Sequence, residues 1–469
     1  MSILSAIRNS KPITILRNHI PHSWVNTLRH YPTALLAAAY YQYPSRLLFI
    51  IGITGSDGKT TTTNGIYHLL QTANLKTGML STISAKIGNQ NINTGLHVTT
   101  PDPWPLQKLI KSMVDHNAKY AVLETTSHGW AQHRLFGTNF DIGVITNITH
   151  EHFDYHGTYQ NYLLTKAKLL KHVKLAVLNI DDKSYQPLLK YLKSHNPGAQ
   201  IWTYGIQNPN ANFLAKNINI SNKALNYTCY INERTNEQWY KQPKQQKFDI
   251  TFPILAYFNV YNTLAMIAVG HYLKIPPRII QKALKTFPPI PGRMEYIPWK
   301  KRRIVIDFAH TPNAIQSALE TLRQNSKLET RNSKLISVFG CAGLRDIQKR
   351  PLMGKVSAQF ADITIITAED PRTEDVNKII AQIATGCKQA GAKETLLSNV
   401  RCQMSDVFIR IPDRQTAITT ALAISHPGDT IGIFGKGHEK SMCYGATEHP
   451  WSDKKAVQKA INAVKSSPQ

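Results

Sequence analysis

Acidic residues are scarce in this 469-residue chain: 29 Asp and Glu stand against 55 Lys and Arg, a net charge of +26. None occurs before Asp57. Such a balance favours acidic partners such as nucleic acid, anionic lipid or phosphorylated small molecules. The basic residues are spread along the chain rather than gathered in one arm, so a solvated basic surface is an equal reading and no nucleic-acid partner is expected. Long apolar runs are also missing. No stretch approaches the ~18 apolar residues of a bilayer-spanning helix. Cysteine is sparse: Cys229, Cys341, Cys387, Cys402 and Cys443 are odd in number and lack metal-type spacing. They read as reduced thiols of a cytoplasmic protein. Gly and Pro, 25 each, are near average usage and exclude a collagen-like or linker-like chain. With 42% hydrophobic and 9% aromatic residues the chain is globular, and its length suggests two to four domains.

The opening stretch places Arg8, Lys11, Arg17, Arg29 and Arg46 among apolar residues. A transit peptide is one reading, disfavoured by the Pro-broken pattern and the lack of a small-residue cleavage site. A basic surface helix making weak contact with a membrane is a second. The third, and the expectation carried forward, is a docking segment with a helix near 32–43 packed on the next domain.

An apolar strand, Leu47-Leu48-Phe49-Ile50-Ile51, runs into Gly52-Ile-Thr-Gly-Ser-Asp-Gly-Lys-Thr-Thr-Thr-Thr63, and a helical pattern follows at Ile66, Leu69 and Leu70. Strand, glycine-rich turn, Lys-Thr and helix form a phosphate loop. Backbone N–H groups and the helix N-terminus cradle anionic oxygens, Lys59 reaches the outer phosphates and Thr60 can coordinate Mg²⁺. Glycines stand at 52, 55 and 58 while Ile53 takes a position where the strict pattern has glycine, so the loop is a variant.

Two further strands end in polar turns: Tyr120-Ala-Val-Leu-Glu-Thr-Thr-Ser-His-Gly129, and Phe140-Asp-Ile-Gly-Val-Ile-Thr-Asn147 running into Ile148-Thr-His-Glu-His-Phe-Asp-Tyr-His-Gly157. Ligands of an α/β sheet gather at the carboxyl ends of its strands, so these turns should converge on the phosphate loop. Glu124 and His152 are candidate metal ligands or electrostatic partners. No cysteine stands with these histidines to support zinc, and Mg²⁺ with phosphate is the better match.

An ordered set of motifs extends this picture: Thr54-Gly-Ser-Asp-Gly-Lys-Thr-Thr61, Thr99-Thr-Pro-Asp102, Glu124-Thr-Thr-Ser-His-Gly129, Asp154-Tyr-His-Gly157, Phe258-Asn-Val-Tyr-Asn262, Pro291-Gly-Arg-Met-Glu295, Asp307-Phe-Ala-His-Thr-Pro312, Phe339-Gly-Cys-Ala-Gly343, Lys349-Arg-Pro-Leu-Met353 and Gly435-Lys-Gly-His-Glu439. From about residue 48 to the C-terminus the chain resembles the Mur ligases, ATP-dependent amide-forming enzymes of peptidoglycan precursor synthesis, and within them the MurE branch, which adds the third residue of the stem peptide. The resemblance implies ATP and Mg²⁺, a nucleotide-linked muropeptide and an amino acid as substrates, and a monomer. It assigns the nucleotide to Gly55, Ser56, Asp57, Gly58, Lys59, Thr60, Thr61, Asn262, Arg293, Asp307 and His310. Metal ligation and catalysis fall to Thr60, Lys59, Glu124, His152 and Lys166, the last carbamylated, which turns a cation into an oxygen donor. Thr99, Thr100, Thr126, Gln132 and Arg134 match muropeptide-holding positions. Arg345, Asp370, Arg372, Gly435 and Glu439 match those that select the amino acid. An arginine at 372 suits the distal carboxylate of meso-diaminopimelate. Where the diaminopimelate branch has an amide, this chain has Asp370, whose charge could instead neutralise Arg372 and admit a diamine.

Three blocks are expected: a short N-terminal segment (1–49), a central ATP-binding α/β domain of phosphate-loop type (50–290) and a Rossmann-like C-terminal ligase domain (291–469). Residues 205–255, polar and Asn-rich, suggest a small antiparallel excursion, and Phe287-Pro-Pro-Ile-Pro-Gly292 reads as the linker. The usual ligases carry a uridine-recognising domain ahead of the phosphate loop, where only about fifty residues stand here. The uracil grip is therefore expected to be missing or rebuilt, with a lipid-linked or otherwise modified muropeptide as an alternative substrate. The muropeptide class is kept because the threonine pair and Gln132 and Arg134 remain. Competing readings are a ligase of another acid, like folylpolyglutamate synthase or a MurT-like enzyme, and a non-catalytic nucleotide-binding scaffold.

Overall fold

Strand β1 (Phe49–Thr54) is buried on both faces, which explains why its sequence runs apolar without alternation. Ile51 and Ile53 join one core with Ile66, Leu69 and Leu70 of the following helix, and Ile50 joins the opposite core with Leu106 and Ile110. On that second face Gly52 is obligatory, since a Cβ there would lie 2.6 Å from the side chains of Leu169 and Phe140. The structure is a computed structural model that describes residues 26–92, 99–149, 151, 153–220, 224–232, 245–254, 256–326, 333–396 and 405–466.

β1 is central to an eleven-stranded sheet with β2 (Thr77–Leu80), β3 (Ala85–Ile87), β4 (Gln90–Ile92), β5 (Tyr120–Glu124), β6 (Ile142–Ile145), β7 (Leu175–Asn179), β8 (Gln200–Gly205), β9 (Phe213–Ile220), β10 (Leu225–Asn232) and β11 (Gln245–Phe252). Their order is β11-β10-β9-β8-β7-β6-β1-β5-β2-β3-β4. From β9 to β2 all neighbours are parallel, and both flanks turn antiparallel. β1 pairs with β5 on one side and β6 on the other, so the chain reverses direction across the sheet at β1 and a crevice opens at its carboxyl end. The excursion expected over 205–255 is the continuation of this same sheet. The expected strand start at Leu47 shifts to Phe49, because Pro44–Leu47 forms a 3₁₀ turn.

A second sheet contains β12 (Glu295–Trp299), β13 (Arg302–Asp307), β14 (Leu335–Phe339), β15 (Ile363–Ile366), β16 (Lys393–Glu394), β17 (Val407–Arg410) and β18 (Thr430–Phe434), in the order β12-β13-β18-β14-β15-β17-β16. Apart from β12 it is parallel, with cores on both faces. The stretch between the sheets is tied at both ends. Phe287 and Ile290 are buried in the first sheet's core, and Phe308 N donates to Gly292 O at 2.9 Å. Gly292 has φ +65°, and a Cβ on it would sit 2.2 Å from His438 N.

Ahead of β1, the helix Tyr31–Tyr40 packs against the helix Pro103–Asp115, as the docking reading expects. Residues 1–25 and Cys402 lie outside the described residues, while Cys229, Cys341, Cys387 and Cys443 are free thiols. Among the described residues no helix is long and apolar enough to cross a membrane.

Candidate functional site

Gly58 has φ +79°, a left-handed turn that stops the loop and starts the helix Lys59–Thr72. A Cβ on Gly58 would lie 2.3 Å from Asn262 Oδ1, so the loop is shaped to approach that asparagine closely. No acidic residue occupies the first helical turn, which leaves its N–H groups and dipole available to an anion. The loop is held from beneath: Ser56 N donates to Asn147 O (2.8 Å) and Asp57 N to Asn147 Oδ1 (2.9 Å). Lys59 Nζ donates to Ser56 O at 2.6 Å, folded over its own loop.

Glu124, at the end of β5, is almost fully buried. Its Oε1 accepts from Thr60 Oγ1 (3.0 Å) and Thr82 Oγ1 (2.7 Å), and its Oε2 from Thr82 N (2.9 Å). Thr82 Oγ1 also lies 2.9 Å from Thr99 Oγ1. Among the described residues no three His, Cys, Asp or Glu side chains cluster to hold a metal. One carboxylate beside threonine hydroxyls fits a hard cation that takes its other oxygens from water and phosphates. His152 lies outside the described residues.

Lys166, on the helix Tyr159–Ala167, is buried beneath the loop, its Nζ donating to Gly55 O (2.7 Å) over the Tyr162 ring. Burial, reinforced by the charge of Lys59, pushes Lys166 well below the usual lysine range. A chain of contacts runs from here to the second unit. Ser56 Oγ and Tyr162 OH are 3.1 Å apart, Tyr162 OH donates to Glu151 Oε2 (3.1 Å), and Glu151 Oε1 lies 3.3 Å from His310 Nε2.

The second unit reaches the loop directly. Arg293 Nη2 donates to Thr60 Oγ1 (3.1 Å) while its guanidinium lies over the Phe308 ring. Asn313 Nδ2 donates to Asp57 Oδ2 (3.0 Å). Asp307 holds the backbone instead, accepting from Met294 N (2.7 Å) and Ala309 N (2.8 Å). Beside β5, Thr100 and Thr126 hydroxyls are 3.0 Å apart. Arg134 donates to Thr100 O (2.8 Å) and twice to Gln132 Oε1.

Across the crevice, Asp370 Oδ1 accepts from Lys436 Nζ (2.7 Å) and Cys443 N (2.9 Å). Lys436 is fully buried between Asp370 and Glu439, which, against the desolvation of that burial, hold it above the usual lysine range. Asp370 therefore neutralises Lys436 and not Arg372. Among the described residues the half-buried Arg372 guanidinium has no ion-pair partner. Both residues sit at positive φ, 43° and 55°, a costly geometry on either side of Pro371 that presents both side chains from one turn. Glu369 opens that turn. Among the described residues its buried Oε2 has no hydrogen-bond partner, and burial pushes the carboxyl up to about 7 against the pull of Lys349, His310, Arg414 and Lys436. A Cβ on Gly435 (φ +106°) would fall 2.1 Å from that oxygen.

These groups line one cavity of ≈1110 Å³ between the two sheets, with the phosphate loop, Glu124, Thr99, Thr126, Gln132 and Arg134 on one wall. Asn262, Arg293, Asp307 and His310 stand at the junction, and Arg345, Asp370, Arg372, Gly435 and Glu439 opposite. Gly55, Thr100 and Lys166 are behind the lining rather than part of it. Sequence reasoning passed over Glu151, Thr82 and Glu369. Glu151 sits inside the turn 148–157 and Glu369 directly ahead of Asp370, each beside residues read for themselves, whereas Thr82 carries no local signal.

Residues 53–270 match the Mur ligase middle domain and residues 292–437 the Mur ligase glutamate ligase domain. A UDP-N-acetylmuramoyl-L-alanyl-D-glutamate–2,6-diaminopimelate ligase of Clostridium botulinum is 34% identical over 434 residues, 92% of this chain and 81% of the relative. One of the same name from Caldanaerobacter subterraneus is 36% identical over 430 residues, 91% of this chain and 81% of the relative. A solved structure of a ligase of that name superposes with a TM-score of 0.58 at 29% identity, covering 90% of this chain and 79% of the other.

Proposed function

The chain belongs to the Mur ligase family and is an ATP-dependent acid–amino-acid ligase of peptidoglycan precursor synthesis, and on that premise we propose that it adds meso-diaminopimelate to a UDP-linked muramoyl dipeptide in the cytoplasm, as a monomer. The observation that carries the choice of amino acid is the unpaired Arg372 beside an Asp370 already engaged by Lys436.

The muropeptide carboxylate attacks the γ-phosphorus of ATP. The bond to the bridging oxygen breaks, and an acyl phosphate and ADP form. The amine of the incoming amino acid then attacks the acyl carbon, and the tetrahedral adduct expels phosphate to leave the amide. The helix N-terminus and loop N–H groups would bind the phosphates, with Lys59 moving from Ser56 O to the outer oxygens. Arg293 would bring a second cation to the same end of the nucleotide through Thr60. Mg²⁺, for which Thr60, Glu124, His152 and a carbamylated Lys166 are the candidate holders, would supply charge neutralisation at the transferred phosphoryl group. Thr99, Thr126, Gln132 and Arg134 would hold the muropeptide. Arg345, Arg372 and Glu439 would orient the amino acid, and Glu369, ionising near neutrality, is suited to take the proton that its ammonium must lose before attack.

The test is ATP-dependent phosphate release with a panel of carboxylate and amino-acid substrates. UDP-linked muramoyl dipeptide with meso-diaminopimelate should give the highest rate, and Lys59→Ala should abolish it. Undiminished turnover by that variant, or preference for a folate or another acid, would overturn the reading.

A further inference from the structure

The helix Tyr31–Tyr40 is packed inside out. Its buried residues are Ala34, Ala37 and Ala38, all 0% exposed, whereas Leu36 (63%) and Tyr40 (70%) face away from the protein. Close approach explains the inner face: a Cβ on Gly137 would lie 2.6 Å from Ala38 Cβ, so only small side chains fit there. Nothing so local explains the outer face. A helix that is apolar all round is ordinarily covered all round.

The exposed surface continues beyond the helix. Leu28 (73%) precedes it, Leu47 (69%) follows it, and Trp104 (41%) stands on the adjoining helix Pro103–Asp115. Tyr40, Tyr41 and Trp104 make one aromatic cluster, with ring centroids 5.0, 5.4 and 6.2 Å apart. Tyr and Trp in such a cluster suit a boundary between water and hydrocarbon, apolar in the ring and polar at the tip. Exposed Arg29 and Arg46 flank the patch, and Lys108 lies one turn beyond Trp104 on the same helix face. Between Asn26 and Ser56 there is no carboxylate, and the nearby Asp102 and Asp115 are paired with Arg134 and Lys111.

From this apolar centre with a cationic rim, we infer that the face formed by Leu28, Leu36, Tyr40, Leu47 and Trp104 docks on an anionic lipid surface. The apolar tips enter the headgroup boundary while Arg29, Arg46 and Lys108 meet the lipid phosphates. Charge selects this occupant over a second copy of the chain, which would bring a further +26 against an already cationic rim. The contact is peripheral, and none of these five residues lines the amide-forming cavity.

The full-length chain should co-sediment with vesicles of phosphatidylglycerol and phosphatidylcholine, less with phosphatidylcholine alone, and less again at high salt. The combined variant Leu36→Ser, Tyr40→Ser, Trp104→Ser changes only exposed side chains. It should keep its melting temperature and ligase activity while partitioning on the order of tenfold less. Separately, Arg29→Glu with Lys108→Glu should remove the preference for anionic vesicles. Absence of sedimentation with anionic vesicles would overturn the inference, as would undiminished partitioning of the serine variant. A dimer in sedimentation velocity that this variant dissolves would also overturn it, assigning the face to a second copy.

Discussion

The carboxylate of Asp370 lies 2.7 Å from the ammonium of Lys436, two residues before an arginine that it leaves unpaired. A distal carboxylate on the incoming amino acid is the natural partner for Arg372, and the bare ammonium of lysine is not. Arg372→Ala should raise KM for meso-diaminopimelate on the order of 10²-fold, since truncating one side of a desolvated charge pair costs about 2–5 kcal/mol. Its use of lysine, if any, should not fall. Competing the two amino acids in one reaction and weighing the products reads this out, and a lysine product in excess from the unaltered protein would reverse the assignment.

The bond from Arg293 to Thr60 predicts a loss in kcat. Arg293→Ala removes a cation from the phosphate end of the cavity, and about 10²–10³-fold should be lost in single-turnover phosphate release. Affinity for the amino acid, whose proposed turn is on the far wall, should be little changed.

Glu369 gives stability a pH dependence of definite sign. Its folded value of about 7 stands above the 4.5 of a free glutamate because burial disfavours the charge. The folded chain therefore holds the proton more tightly than the unfolded one. The contribution is fully present below pH 4.5 and is lost as pH rises through 7. Glu369→Gln has no proton to lose, so its stability relative to the parent should improve by on the order of 3 kcal/mol between about pH 4 and pH 8, measured by urea unfolding.

For Lys166 the expectation is chemical. An amine pushed well below its usual range by burial gives up its proton more readily, and the uncharged amine is the form that combines with carbon dioxide. In ¹³C-bicarbonate a carbamate carbon signal should appear and vanish in Lys166→Ala. Activity of that variant should be partly restored by short-chain carboxylates, and the lack of both effects would leave a plain buried lysine under the loop.

Much of this architecture was legible in the chain because its signals are local. The apolar run before Gly52, the glycine at 58 and the four threonines after Lys59 are all read within one short stretch. What was not legible depends on partners far along the chain. Glu151 acquires its meaning from His310, Thr82 from Glu124, and the neutralisation of Asp370 from Lys436. Sequence alone favoured a free Arg372 but left Asp370 able to quench it. The antiparallel strands β9–β11 show the same limit: their alternation marks strands, but only pairing with β8 makes them part of the main sheet.

The contacts between the loop and the second unit also impose an order in time. A ribosome delivers Thr60, Asp57 and Glu151 long before Arg293, Asn313 and His310, the residues that meet them. A nascent chain that has completed its first sheet thus owns a phosphate cradle without the guanidinium, amide and imidazole that face it. Such a half-made chain has the cradle on one wall only, and the opposite wall arrives with the second sheet.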